Sequence, residues 1–333
     1  MPSTSGPEST AANTATTITA ALPIIDFSGW RTGGAEARAR IAAALRQACE
    51  QRGFFYLVGH GIPEHLIQAA FEHAEHFFDQ PMDAKLGIDK SLSPCNRGYE
   101  PLRAQVLESG APPDLKESFY IGEDVPPSDP RVKAGRFNTG PNQWPAGLDG
   151  FRPAMEAYFN AAYALGADVM RALALSLDLQ QDHFERFIEG ASATLRLLHY
   201  PPQPANPSPG EKGCGAHTDF GGVTLLLQDD CGGLQVWDAE SQGWIDAPPV
   251  PGAYVVNIGD LIARWTNDRY RSTLHRVINV SGRERQSIPY FYTGNPEHLV
   301  ECLPTCLAPG ESPKYPPVTV EGHLRDCYRR TYG

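Results

Sequence analysis

Between Thr194 and Gly294 the chain is a succession of short apolar runs, "TLRLLHY", "VTLLLQ", "GLQVW", "AYVVNIG", "STLHRVINV" and "SIPYFYTG", each cut off by turn residues. Runs this short, rich in β-branched and aromatic residues, match the strands of an antiparallel sandwich or barrel. A closed or two-sheet β structure is therefore predicted for this region.

Upstream the period changes. Ile41, Leu45 and Ala48 recur at helical spacing, Gly53 stands where a C-terminal cap belongs, and "FFYLVGHG" follows as a strand. Pro63 opens a second helix with Leu66, Ile67, Ala70, Phe71, Ala74 and Phe77 in one apolar stripe. Residues 91–150 are rich in Pro, Gly and Asn and predict long loops with short strands. A long helix is predicted from about Pro153 to Leu177, and "EGHLRDCYRRTYG" reads as a last helix. Residues 1–20 hold Ser, Thr, Ala and Pro with almost nothing to bury, and predict a disordered leader. The expected division is this leader, an N-terminal helical and loop region over 21–150, and a long helix, strand-rich core and final helix over 151–333. The last two form one compact unit of α+β, mainly β, class.

Charge narrows the partners. With 28 Lys+Arg against 39 Asp+Glu, a net charge of -11 argues against nucleic acid or an anionic membrane as the main partner, and does not forbid an anionic small molecule, since one local arginine can bind a carboxylate. No apolar stretch is long enough to span a bilayer and no signal peptide opens the chain, so a cytoplasmic location is expected. Seven scattered cysteines, with no Cys-x-x-Cys, argue against a disulfide framework or a structural zinc site.

In "GCGAHTDFGG", His217 and Asp219 are two residues apart, so on a strand an imidazole and a carboxylate share one face and can share one ion. Taken alone, such a pair is more often a surface hydrogen bond. Of the remaining histidines, His73 and His76 sit on the polar side of an amphipathic helix, whereas His275 lies in "STLHRVINV" among apolar residues, where an unpaired polar group is costly. Beyond it, Arg285 and Ser287 are again two apart, a fork and a hydroxyl suited to a carboxylate, although Arg285 taken singly reads as an outward salt bridge. Two histidines and one carboxylate match the facial triad of non-haem iron oxygenases.

At His217-x-Asp219, His275 and Arg285-x-Ser287 the chain resembles the iron(II) and 2-oxoglutarate-dependent dioxygenases of the isopenicillin N synthase-like group. "LPIIDFSGW" and "GFFYLVGHGIPEHLI" are similar to that group's N-terminal region, and "LRLLHYPP", "HTDFGGVTLLLQD", "GGLQVW" and "VVNIGDLIARWTND" to its core. "PDLKESFYIG", "LRLLHYP" and "GDLIARWTND" look most like the fungal thymine hydroxylase-type and bacterial small-molecule hydroxylases, which favours a compact polar substrate. The resemblance implies a double-stranded β-helix, or jelly roll, with N-terminal helices packed on it. It implies an oxidoreductase whose cofactors are iron(II), 2-oxoglutarate and molecular oxygen, with ascorbate as reductant, and which oxidises a C–H bond, most simply by hydroxylation, as succinate and carbon dioxide are released.

The resemblance makes His217, Asp219 and His275 the metal ligands, and Arg285 with Ser287 the partners of the distal carboxylate of 2-oxoglutarate. Tyr200 matches a tyrosine that touches the co-substrate in relatives; a barrel tyrosine bonded to backbone is the other reading. Where the plant pattern has Asn-Tyr-Tyr this chain has Leu198-His199-Tyr200. Arg196, four residues before Tyr200 and on the same strand face, meets either a polar or anionic substrate or a structural ion-pair partner. Phe220 and Phe291 are candidates for an apolar wall or for core packing, and Asn96 of "CNRGYEP" falls in the loop-rich stretch that closes over the mouth in relatives. Two other functions fit the motifs: an iron oxidase, cyclase or ethylene-forming-type enzyme of the same fold that does not consume 2-oxoglutarate, and a non-catalytic jelly-roll binder or sensor.

Overall fold

The computed structural model describes residues 22–204 and 206–332; the leader expected over 1–20 lies outside the described residues. The described chain opens with β1 (Ile24–Asp26), α1 (Gly34–Gln51), β2 (Phe54–Val58) and α2 (Glu64–Phe78). After β3 (Gly98–Glu100) and β4 (Glu117–Gly122) comes the long helix α3 (Phe151–Ser176). Its first turn holds Pro153, whose missing N–H costs nothing there. The core strands are β5 (Ser192–Tyr200), β6 (Cys214–His217), β7 (Val223–Gln228), β8 (Leu234–Asp238), β9 (Gly243–Asp246) and β10 (Tyr254–Ile258). The short helix α4 (Asp260–Trp265), β11 (His275–Val277), β12 (Arg285–Gly294) and the final helix α5 (Val320–Tyr332) complete the framework.

The strands form an eight-stranded sheet in the order β1-β2-β10-β7-β12-β5-β4-β3 and a four-stranded sheet in the order β6-β11-β8-β9. All pairings in both are antiparallel except β1 with β2. This is the jelly roll that the resemblance implies, and an antiparallel two-sheet structure as the short apolar runs predict, with α1, α2 and α3 packed on the outer face of the large sheet. Alternation along each strand sorts the side chains. Leu195, Leu197, Leu225, Ile288, Tyr290 and Tyr292 join the main hydrophobic core, and the rings of Tyr290 and Tyr292 meet Phe159 and Tyr163 of α3 at 5.1 and 5.3 Å. Gly166 lets α3 approach, since a Cβ there would lie 2.5 Å from the Tyr292 ring. The alternate set, Arg196, Leu198, Tyr200, Thr224, Ser287 and Phe291, lines the space between the sheets.

The stretch 91–150 holds long loops and short strands as its composition predicts, and β4, buried along its whole length, pairs with β5 as an added strand of the large sheet. "STLHRVINV" is less regular than expected, with a strand over His275–Val277 only. Side chains take over from the ladder on either side: Thr273 Oγ1 donates to the Arg52 carbonyl, and Asn279 Nδ2 to those of Tyr200, Pro201 and Arg283. Gly53 adopts φ +65°, and a Cβ there would stand 1.8 Å from the Arg271 carbonyl oxygen, so α1 and the segment leading to His275 meet backbone to backbone. Among the described residues no helix is long and apolar enough to cross a membrane, and all seven cysteines are free.

Candidate metal centre and adjoining cavities

Strand register brings the histidines together: His275 on β11 pairs directly with His217 at the end of β6. Their ring centroids are 4.2 Å apart. Asp219, two residues past the strand end, sets Oδ1 3.7 Å from each Nε2. One ligand atom from each of the three lies within 4.8 Å of the others. Each remaining polar atom is spoken for. His217 Nδ1 bonds the Gly215 carbonyl at 2.8 Å, and His275 Nδ1 that of Thr273 at 3.2 Å, so both Nδ1 atoms donate and both Nε2 lone pairs face inward. Asp219 Oδ2 accepts from Thr224 Oγ1 at 2.6 Å and Asn257 Nδ2 at 2.7 Å, which leaves Oδ1 for the centre.

The electrostatics agree with that accounting. Burial lowers the pKa of both imidazoles, that of His275, with His217 beside it, down to about 4. Burial works to raise Asp219, but the two histidines and the bonds from Thr224 and Asn257 bring it below the usual carboxylate range. At neutral pH the site therefore offers two neutral nitrogens and one anionic oxygen, a donor set that fits a divalent ion such as iron(II) with positions left open. Thr224 and Asn257 were missed in the sequence, although each is a polar residue inside an apolar run and to that extent visible. Asn257→Ala is expected to lower metal affinity by roughly 10- to 100-fold, the usual cost of removing an orienting partner, as read by metal titration.

Two cavities meet at His217 and Asp219, and the inner one also reaches His275. The inner one, about 60 Å³, runs between the sheets past Tyr200, Lys116 and Leu198 to Arg285 and Ser287. Arg285 is fully buried and donates to the Gly232 carbonyl at 2.6 Å, Ser287 Oγ at 3.1 Å and Gln228 Oε1 at 3.1 Å, with its guanidinium 4.7 Å from the Tyr200 ring centroid. It makes no ion pair with a carboxylate among the described residues, so the outward salt bridge is not what forms. Ser287 also hydrogen-bonds Tyr200, whose pKa burial pushes up to about 12. The other buried cations lining this cavity are Lys116, paired with Asp114, and Arg196, paired with Glu100.

The outer cavity, about 110 Å³, is lined by Phe220 and Phe291, by Arg196, and by Arg97, Tyr120 and Tyr328. Both volumes exceed the roughly 10–15 Å³ that one water needs. Of the two readings of Arg196, an ion pair is what forms: it donates to Glu100 at 2.9 Å, and to Gln105 and Ser118. Phe220 and Phe291 form part of the wall. Asn96 is not among the lining residues; its amide donates to Asn138 at 2.6 Å, and its neighbour Arg97 lines the cavity in its place. The final helix, which the sequence showed only as a helix, contributes Leu324 and Tyr328 to this wall. His323 fixes that helix by donating from Nε2 to the Phe220 carbonyl at 3.1 Å, one residue from Asp219. A much larger cleft, about 850 Å³, lies on the far side of Asp260 and touches none of the three converging residues.

Comparison with known proteins gives concordant findings. Residues 22–147 match the family described as non-haem dioxygenase in morphine synthesis N-terminal, and residues 191–294 match the 2OG-Fe(II) oxygenase superfamily. The chain is 50% identical over 317 residues to the 2-oxoglutarate-Fe(II) type oxidoreductase hxnY of Emericella nidulans, covering 94% of this chain and 91% of that protein. It is 34% identical over 328 residues to the clavatol oxidase claD of Penicillium crustosum, with 93% and 96% covered. The crystal structure of the full-length thymine 7-hydroxylase of Neurospora crassa, in complex with α-ketoglutarate and thymine, superposes with a TM-score of 0.81 at 33% identity, covering 93% of this chain and 97% of that one.

Proposed function

The chain belongs to the 2OG-Fe(II) oxygenase superfamily, and from that premise we infer that it hydroxylates a C–H bond of a small, compact ring compound held in the outer cavity. As an enzyme of this class it uses iron(II), 2-oxoglutarate and oxygen. His217, Asp219 and His275 would hold the iron, and Arg285, Ser287 and Tyr200 the distal carboxylate of 2-oxoglutarate.

The observation that carries this reading is the convergence of three ligand atoms at the junction of two cavities, one of which ends on a buried arginine with no carboxylate partner. A buried guanidinium bonded only to neutral groups is costly, and an entering anion removes that cost. The bound metal supplies the activation of oxygen for oxidation of an unactivated C–H bond. The protein's part is positional. The Thr224 and Asn257 bonds hold the Asp219 carboxylate in one rotamer, and the backbone carbonyls fix the tautomer of both histidines. Arg285 and Ser287 set how deeply the co-substrate enters, while the apolar wall of Phe220, Phe291 and Leu324 keeps bulk water from the reacting carbon. A ring substrate is supported by the aromatic lining and by the thymine bound in the Neurospora structure.

The test is an anaerobic visible spectrum of the iron(II)-loaded protein before and after 2-oxoglutarate, followed by succinate analysis in air with and without ascorbate. A new charge-transfer band and succinate are expected. Bound iron with neither would favour an oxidase that does not consume 2-oxoglutarate.

A further inference from the structure

Three arginines line the two cavities, and they differ in how their charge is met. Arg285 faces the inner cavity with neutral partners only. Arg196 is neutralised by Glu100. Arg97, in the outer cavity, is 3% exposed, and its partners are two backbone carbonyls, Cys95 at 3.2 Å and Asn138 at 2.7 Å. Its Nε is buried with no hydrogen-bond partner, and no carboxylate pairs with it among the described residues. The remaining acid of the wall, Glu321, is engaged by Arg325 at 2.7 Å.

The site is built to keep this guanidinium in place. Gly122 on β4 lies directly against it: a Cβ there would stand 1.9 Å from a terminal guanidinium nitrogen and 2.5 Å from Nε. Asn138, whose carbonyl accepts from Arg97, also receives the Asn96 amide and donates to the Tyr328 hydroxyl on the final helix. A long cationic side chain has thus been led past a glycine into a desolvated aromatic cavity and left with a donor to spare. Left so, it carries the cost of an uncompensated buried charge, which an anionic ligand would remove.

We propose that the substrate is a small ring compound bearing a carboxylate, and that Arg97 recognises the carboxylate while the aromatic wall holds the ring. The proposal rests on the reading that the outer cavity is the substrate site, and it parallels the logic of Arg285: one buried, unpaired arginine for each anion. Arg97 then decides specificity, because a neutral isostere of the same shape leaves the guanidinium unpaired.

Calorimetric titration of the full chain, loaded anaerobically with iron(II) and 2-oxoglutarate, tests this with paired probes, benzoate against benzamide and 2-furoate against 2-furamide. The acids are expected to bind roughly 10- to 100-fold more tightly than their amides, the range for a charged hydrogen bond in a desolvated site. Arg97→Gln should abolish the preference and Arg97→Lys retain part of it, since the ammonium keeps the charge without the fork. Equal binding of acid and amide to the wild type, no saturable binding by either, or an acid preference that survives Arg97→Gln overturns the proposal. The wild-type comparison stands even if a variant does not fold. Loading with 2-oxoglutarate is measured first, so a failure there counts against the assigned function and not against Arg97.

Discussion

Asp219→Ala is expected to reduce bound iron to background and to abolish succinate formation. Asp219 is the one anionic donor of the three, it is buried, and its Oδ1 stands 3.7 Å from both imidazole Nε2 atoms. Loss of a partner one bond further out already costs roughly 10- to 100-fold in metal affinity, so loss of the ligand itself exceeds that. The substitution also strands the Thr224 hydroxyl and the Asn257 amide that now bond Oδ2. A fall in stability of about 1–3 kcal/mol for an unsatisfied buried group is therefore expected alongside the functional loss. Thermal unfolding followed by circular dichroism separates the two, because a folded protein without iron isolates the metal effect. Full activity in Asp219→Ala, or in the matching His217→Ala, would overturn the assignment of these residues to the metal.

Arg285→Ala is expected to raise the 2-oxoglutarate concentration needed for half-maximal succinate formation by roughly 100-fold or more, the cost of leaving a buried carboxylate without its partner. At saturating co-substrate the turnover should recover most of its value, because the contact is made equally before and during the reaction. The intermediate variants refine the test. Ser287→Ala should cost only about 1 kcal/mol, the worth of one neutral hydrogen bond. Arg285→Lys should fall between, since an ammonium supplies charge but not the fork that spans Ser287 and Gln228. An unchanged 2-oxoglutarate requirement in Arg285→Ala would mean that the inner cavity does not hold the co-substrate.

Much of this site is legible in the chain because strand alternation is a local property. His217 with Asp219, and Arg285 with Ser287, are read as pairs from spacing alone, and Phe291 follows from Ser287 by the same count, whereas Tyr200 is named by the resemblance and Phe220 by its place next to Asp219. The supporting residues were harder to see for different reasons. Thr224 and Asn257 matter through a carboxylate on another segment, and Asn257 is 38 positions from Asp219. Arg97 stands next to Asn96 in "CNRGYEP", and a loop without a period does not say which of two neighbours turns inward.

The sequence by itself determined the strand-rich class, the helical stripes and the two short motifs, since each depends on residues within one turn or one strand. The tertiary structure decided which groups meet. It set His275 opposite His217 through the register of β11 on β6, gave Arg196 to Glu100, left Arg97 and Arg285 without a carboxylate, and brought Tyr328 of the last helix onto the cavity wall. These outcomes depend on which distant segments pack against one another, and a charge is paired or unpaired only once the whole chain has closed around it.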